Sequence, residues 1–380
     1  MSSKKHLTGI TWDHSRGYSP MVATSQRFNE ITETNITWEK RTLQDFADKP
    51  INKLVEIFDL LIIDHPWIGF AAEKKLFVPL DQYLPNEYLN DLERNTVGQS
   101  YSSYQHNNHL WALPIDAATP VASYRKDLLS MHNEELPKDF SELLVLAQKG
   151  LVIFPIIAID TLMNFFMLCA TLGENPFSNE NEVISTAIGT EALHLLKELA
   201  NTVDKRCFEW NPIKVYEVLS NTDEFAYCPF AYGYSNYAKE GFAKNKLAFA
   251  DLIQLKAEKL KSTIGGTGIA ISTNCSNMDA AMQFVQYVAS PTIQQHLYFD
   301  SGGQPAHLAS WQNKYCNKVT DNFFSATLPA LERAYLRPRY NGFIYFQDRA
   351  GDIIRDYLMK GGNTNTVLEK LNNLYHKSKL

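Results

Sequence analysis

The sequence predicts an α/β protein of two lobes, each a mostly parallel sheet flanked by helices, and three observations lead there. At 380 residues the chain suggests roughly two domains, with ample core for each. Its first 64 residues alternate between strand-like and helix-like patterns, the start of a doubly wound sheet. About two thirds of the way along, Thr263-Ile264-Gly265-Gly266-Thr267-Gly268 runs straight into the apolar Ile269-Ala270-Ile271. Glycine permits positive φ and close backbone approach, so a strand leaving such a turn suits a crossing from one lobe to the other.

Taken in order, Leu7 to Trp12 is rich in β-formers and reads as the first strand. Asp13 to Pro20 breaks it, and Met21, Val22, Phe28 and Ile31 recur at helical spacing, with Ser19 placed as N-cap and Pro20 in the first turn. Ile36 to Arg41 is a second strand, and Leu43 to Glu56 a helix despite Pro50. Phe58 to Asp64 is nearly continuously apolar, as a central parallel strand covered on both faces should be. It ends in His65-Pro66-Trp67. Ligands bind beyond the carboxyl ends of such strands, and the polar clusters Asp13 to Tyr18 and Asp64 to Trp67 both fall there.

The middle of the chain is helical by pattern over Thr161 to Leu172, Thr190 to Thr202 and Pro212 to Asn221. Phe225 to Tyr237 reads as a short strand and loop, and Leu247 to Leu252 as a further strand. Asp321 to Tyr335, Tyr345 to Met359 and Thr364 to Lys377 are the closing helices.

Composition narrows the function. A net charge of -6, with no long lysine or arginine run, argues against a nucleic-acid partner. No apolar run approaches about 18 residues, so no transmembrane segment is expected. Lys4 and Lys5 precede a short strand and not an apolar signal core, so the chain is expected to be a mature product or a cytoplasmic protein. The five cysteines are scattered without metal-ligand spacing and read as small buried hydrophobes, leaning towards a reducing compartment. No serine elbow, His-Glu-x-x-His, P-loop lysine or dinucleotide glycine fingerprint occurs, so neither catalysis nor a cofactor is expected.

A series of short motifs, in order, resembles one family: Pro79-Leu80-Asp81, His109 to Pro114, Tyr124-Arg125-Lys126-Asp127-Leu128, Leu136 to Leu144, the Gly265 strand, the Asn277 to Pro291 helix, and Gly302-Gly303-Gln304-Pro305-Ala306. The chain is similar to the family 1 extracellular solute-binding proteins, the ligand-capturing subunits of ABC importers, with a periplasmic-binding-protein type II fold like that of maltose-binding protein. That resemblance implies lobe one at 1–115 and 268–325, lobe two at 120–264 and 326–380, and hinge crossings near 115–120, 264–268 and 325–340. It further implies a monomer that closes on a sugar, oligosaccharide or polyol derivative and presents it to permease subunits outside the cell.

The candidate ligand contacts follow from chemistry at the predicted edges. Trp12 and Trp67 offer flat faces for a sugar ring, or else cap the core. Asp13, His14, Arg16, Asp64 and His65 supply hydrogen-bonding rims, or else are solvated loop charges. Asp116 sits in the first crossing, and Tyr232 and Tyr234 form an opposing wall. Gly265, Gly266 and Thr267 can present backbone N–H groups to an oxygen, and Arg339, like Arg337, can clamp an anion. The number of arginines and histidines keeps a carboxylate or phosphorylated ligand as an alternative, beside a cytoplasmic sensor or an enzyme using the same cleft.

Overall fold

A computed structural model describes residues 5–42 and 51–379. The principal strands are β1 (Lys5–Trp12), β2 (Thr34–Arg41), β3 (Leu60–Ile63), β4 (Leu113–Ala118), β5 (Pro120–Tyr124), β6 (Tyr227–Tyr232), β7 (Ala248–Ala250) and β8 (Gly265–Ile271). The principal helices are α1 (Ser15–Thr32), α2 (Phe140–Gln148), α3 (Ala158–Thr171), α4 (Thr186–Thr202), α5 (Pro212–Asn221), α6 (Met278–Ala289), α7 (Phe323–Glu332), α8 (Phe343–Lys360) and α9 (Thr364–Ser378). The expected helix over Leu43 to Glu56 lies partly outside the described residues; Ile51–Leu54 is helical. The chain forms two compact units: unit one is Met1–Ala118, Gly265–Asn317 and Arg339–Asn341, and unit two is Thr119–Ile264, Lys318–Pro338 and Gly342–Leu380. Residues 318–325, expected in lobe one, therefore pack in unit two, where Phe323 meets Phe249 edge-on with ring centroids 4.8 Å apart.

Unit one is a five-stranded sheet in the order β2-β1-β3-β8-β4. β1 runs parallel to β2 and β3, whereas β8 returns antiparallel to both β3 and β4. The four residues of β3 are buried, as its unbroken apolar run requires. Gly9 leaves room for the Trp38 ring, and the Trp38 indole donates to Ser25 Oγ of α1 at 2.7 Å. Phe28 of α1 meets Phe284 of α6, so both helices cover this part of the sheet. Asp59 ties the entry of β3 to its neighbours: one carboxylate oxygen accepts from Thr8 N and the other from Ser276 N, both at 2.8 Å.

Helix α1 starts five residues before the predicted Pro20. His14 is its N-cap, its Nδ1 accepting from Arg16 N at 3.0 Å, and Pro20 lies inside the helix. Histidine is outside the usual capping set, so the sequence rule passed over it.

Unit two departs from the predicted parallel sheet. Its ladder, β6-β5-β7, is antiparallel throughout, and the parallel pairings among the described residues of this unit are isolated bridges, Val152–Tyr227, Asp139–Gln254 and Thr263–Tyr335. Its bulk is helical and centred on α3, whose Leu162, Phe165, Phe166 and Leu168 are fully buried. Gly351 lets α8 approach α3 closely, since a Cβ there would stand 2.0 Å from the Ala158 carbonyl oxygen. Phe177 seals this layer against Phe343, Phe346 and Tyr375.

Candidate functional site

The register of unit one gathers most of the candidate residues at one sheet edge. Ile10 pairs with Leu61, Ile63 with Gly268, and Thr267 with Asp116. Carried three residues beyond Ile10–Leu61, this register sets Asp13, Asp64, Thr267 and Asp116 in one row. The row lies past the carboxyl ends of the parallel pair β1 and β3, the edge where open α/β sheets receive ligands.

The centre of the row is a buried ion pair. Arg16, in the first turn of α1, donates from Nε to Asp116 Oδ2 at 2.7 Å and from Nη2 to Asp116 Oδ1 at 2.5 Å. Arg16 is 4% exposed and Asp116 1%. Burial pushes the Asp116 carboxyl pKa up, while the guanidinium and the backbone N–H groups of Gln304 and Thr267 oppose that rise. Beside the pair, the chain makes a bulge between Thr267 and Gly268. Gly266 has φ +97, and a Cβ on it would stand 2.2 Å from the Asp116 carbonyl oxygen, so both its conformation and its space require glycine. Thr267 is buried, and its hydroxyl has no hydrogen-bond partner among the described residues.

Trp12 is packed on the first turn of α1: a Cβ on Gly17 would lie 2.4 Å from its Cδ2. Its ring is 5% exposed. Asp13 pairs with Lys40 at 2.8 Å on a half-exposed surface. Burial, and then the Arg16 charge, lower the His14 pKa to about 4, so near neutrality the ring is an uncharged cap. Asp64 caps the 3-10 turn His65–Trp67 by accepting from His65 N at 2.9 Å, and the buried His65 ring lies edge-on to Tyr104. Trp67 meets Phe70 edge-on and is 9% exposed. Arg339 joins this corner through its backbone, which lies directly on Gly69, and its Nη1 donates to Ser102 O at 2.5 Å. Burial lowers the Arg339 pKa from its usual value.

The tyrosines belong to unit two. Tyr232 hydrogen-bonds through its hydroxyl to Thr263 Oγ1 at 2.9 Å, and the buried Tyr234 packs edge-on to Tyr216. Arg337, also in unit two, donates to Gln347 Oε1 at 2.8 Å.

Two residues went unread in the sequence. Tyr104 is buried against Gly268, where a Cβ would meet its ring at 2.7 Å, and its hydroxyl donates to Ile63 O. Only the spacing of small residues in β8 hinted at this. Asp160 is a single acid in the apolar run Ile156 to Met163 and sits in the first turn of α3. It is 5% exposed, its Oδ2 has no hydrogen-bond partner among the described residues, and burial raises its pKa to about 8. An isolated acid in an apolar stretch is the signal that finds such a group. Among the described residues no group of three or more His, Cys, Asp or Glu is arranged to hold a metal, and no helix is long and apolar enough to cross a membrane. The cysteines are free thiols, buried except for Cys275, which is partly exposed.

Known proteins share this architecture. Maltose-bound MalE3 of T. maritima superposes with a TM-score of 0.84 at 14% identity, covering 98% of this chain and 99% of that one. A ribitol-bound ABC transporter solute-binding protein of Agrobacterium radiobacter gives 0.83 at 17% identity, covering 98% of each chain. At these identities the likeness is one of fold. The maltotriose-binding protein of Pyrococcus abyssi is 34% identical over 91 residues, which is 24% of this chain and 18% of that protein. The sequence family described as bacterial extracellular solute-binding protein matches residues 56–295, more than half of the chain. With the two-unit α/β fold and that match together, the chain belongs to the bacterial extracellular solute-binding protein family.

Proposed function

We propose that the protein captures a neutral polyhydroxylated solute, a sugar, oligosaccharide or polyol, and passes it to an ABC permease on the outer side of the membrane. The observation that carries the neutral class is the Arg16–Asp116 pair. Arg16 is one of the arginines and histidines that kept an anionic ligand open, and its fork is spent on a buried carboxylate. The neutral state of His14 removes a second cation from the same edge. Asp64, the Thr267 hydroxyl, which has no partner among the described residues, and the ring of Trp67 are the kind of groups that hold a polyol: acceptors, a donor and an apolar face. Structural neighbours bound to maltose, ribitol and α-D-tagatose support the same class here. The role is binding without turnover, and the capture step we propose is hinge closure.

A thermal-shift screen tests the reading. Maltose, ribitol, tagatose, small carboxylates and sugar phosphates are offered to the purified protein. Ligand at about a hundred times its dissociation constant adds roughly 2.7 kcal/mol of stability. A neutral sugar or polyol should raise the melting temperature, lose that effect in Trp67→Ala, and be recovered chemically unchanged. Shifts confined to the anions would overturn the neutral class, and consumption of the ligand would overturn the non-enzymatic role.

A further inference from the structure

We propose that unit two carries a second small-molecule site, suited to a flat apolar body bearing one carboxylate. The proposal does not rest on the sugar-binding reading. A concavity of about 710 Å³ opens on the β5–β7 side of the unit-two sheet, a size within the ordinary range for small-ligand pockets. Its floor follows from strand register. Ala122 of β5 pairs with Ala250 of β7, and Tyr124 of β5 pairs with Tyr227 of β6. Residues two apart on a strand share a face, and so do paired neighbours. Two alanines therefore leave a notch beside a tyrosine ring.

Tyr227 supplies the second observation. It lines the concavity and is 1% exposed, and its hydroxyl has no hydrogen-bond partner among the described residues. That hydroxyl is left unengaged where the ring meets the concavity, so an acceptor atom on a ligand would find a donor there. The walls are apolar, from Leu136, Pro137 and Leu252. The rim decides the sign of charge. Lys138 and Lys259 both stand on it, with Lys259 held by a 2.9 Å bond from its Nζ to Leu252 O. Of the rim carboxylates, Asp251 is already paired with Arg333, which leaves Glu135 against two ammonium groups. An apolar floor, an unengaged hydroxyl donor and a rim of net positive charge together fit an aromatic carboxylate. The notch is also at a different place in the sheet from the tyrosine pair named above. Tyr227 pairs with Tyr124 at one end of β5, and Tyr232 pairs with Pro120 at the other.

Benzoate is the probe, with benzyl alcohol as its neutral counterpart, titrated by ligand-detected NMR and calorimetry into the full chain with and without a saturating sugar. Saturable benzoate binding that persists with sugar present is expected, with benzyl alcohol weaker. Tyr227→Phe should weaken benzoate about tenfold, the low end for one hydrogen bond to a charged acceptor. Ala250→Leu, which fills the notch from a partly exposed position, should abolish it, and Lys138→Ala should weaken benzoate but not benzyl alcohol. Circular dichroism on each variant reports folding separately. Absence of saturable benzoate binding, its survival in a folded Ala250→Leu variant, or its displacement by the sugar would overturn the proposal.

Discussion

Replacing Asp160 by asparagine should stabilise the protein at alkaline pH and leave it nearly unchanged at acid pH. The reasoning starts from a carboxyl group in the first turn of α3 that is buried, with an oxygen lacking any partner among the described residues. Burial alone raises its pKa from 3.8 to about 8. Below about pH 4 the group is protonated in both the folded and unfolded chain and contributes no pH dependence. Between there and about pH 8 the unfolded chain has released the proton and the folded chain has kept it. The folded state then binds more protons, so stability falls as pH rises, by about 1.4 kcal/mol per unit. The full rise from 3.8 to about 8 sets a ceiling of about 6 kcal/mol; relaxation and water entry around a buried charge reduce this, and roughly 2–4 kcal/mol is expected. An asparagine side chain cannot ionise, so the difference between Asp160→Asn and the parent isolates this one group. Urea unfolding, followed at about pH 4.5 and about pH 8.5, reads it directly. A gain for Asp160→Asn that is equal at the two pH values would refute the buried-acid argument.

Four further outcomes follow from unit one. Arg16→Ala leaves Asp116 as an unpaired buried charge and should cost about 3–5 kcal/mol, whereas the double variant Arg16→Leu/Asp116→Leu should recover much of that loss; equal losses in single and double variants, measured by urea unfolding, would contradict the pairing. Gly266→Ala must accommodate a Cβ at 2.2 Å from a carbonyl oxygen with φ near +97, so a loss of at least about 2 kcal/mol is expected, and a neutral result would show that the bulge relaxes. His14, with its folded pKa lowered to about 4 from 6.5, contributes stability present above pH 6.5 and lost as pH falls towards 4; His14→Asn keeps a cap but should abolish that slope. Trp67→Ala should remove the sugar-dependent thermal shift while the unliganded protein still melts cooperatively.

Much of the architecture was legible from local pattern. The nearly continuous apolar run Phe58 to Asp64 announced a central strand, found at Leu60–Ile63, and the periodicity of Thr364 to Lys377 announced the last helix, found at Thr364–Ser378. The glycine pair at 265–266 announced a backbone under constraint, and Gly266 has the positive φ that explains it. Capping was harder: His14 does through Nδ1 what serine or aspartate usually does, and composition rules do not look for it there. Strand direction was beyond reach, because an antiparallel and a parallel strand buried on both faces carry the same apolar text.

The site divides in the same way. The sequence alone determined which polar loops end the strands of unit one, since strand endings follow from local breaks in pattern at Asp13 and Asp64. Tertiary structure decided what those residues do. Arg16 and Asp116 are a hundred positions apart, and only the pairing of β8 with β4 and the start of α1 bring the guanidinium and carboxylate together. The same non-local packing isolates Asp160 from water and opens the notch beside Tyr227. A side chain's charge state and free valences are set by the neighbours that long-range contacts deliver, and a residue type written in sequence does not carry them.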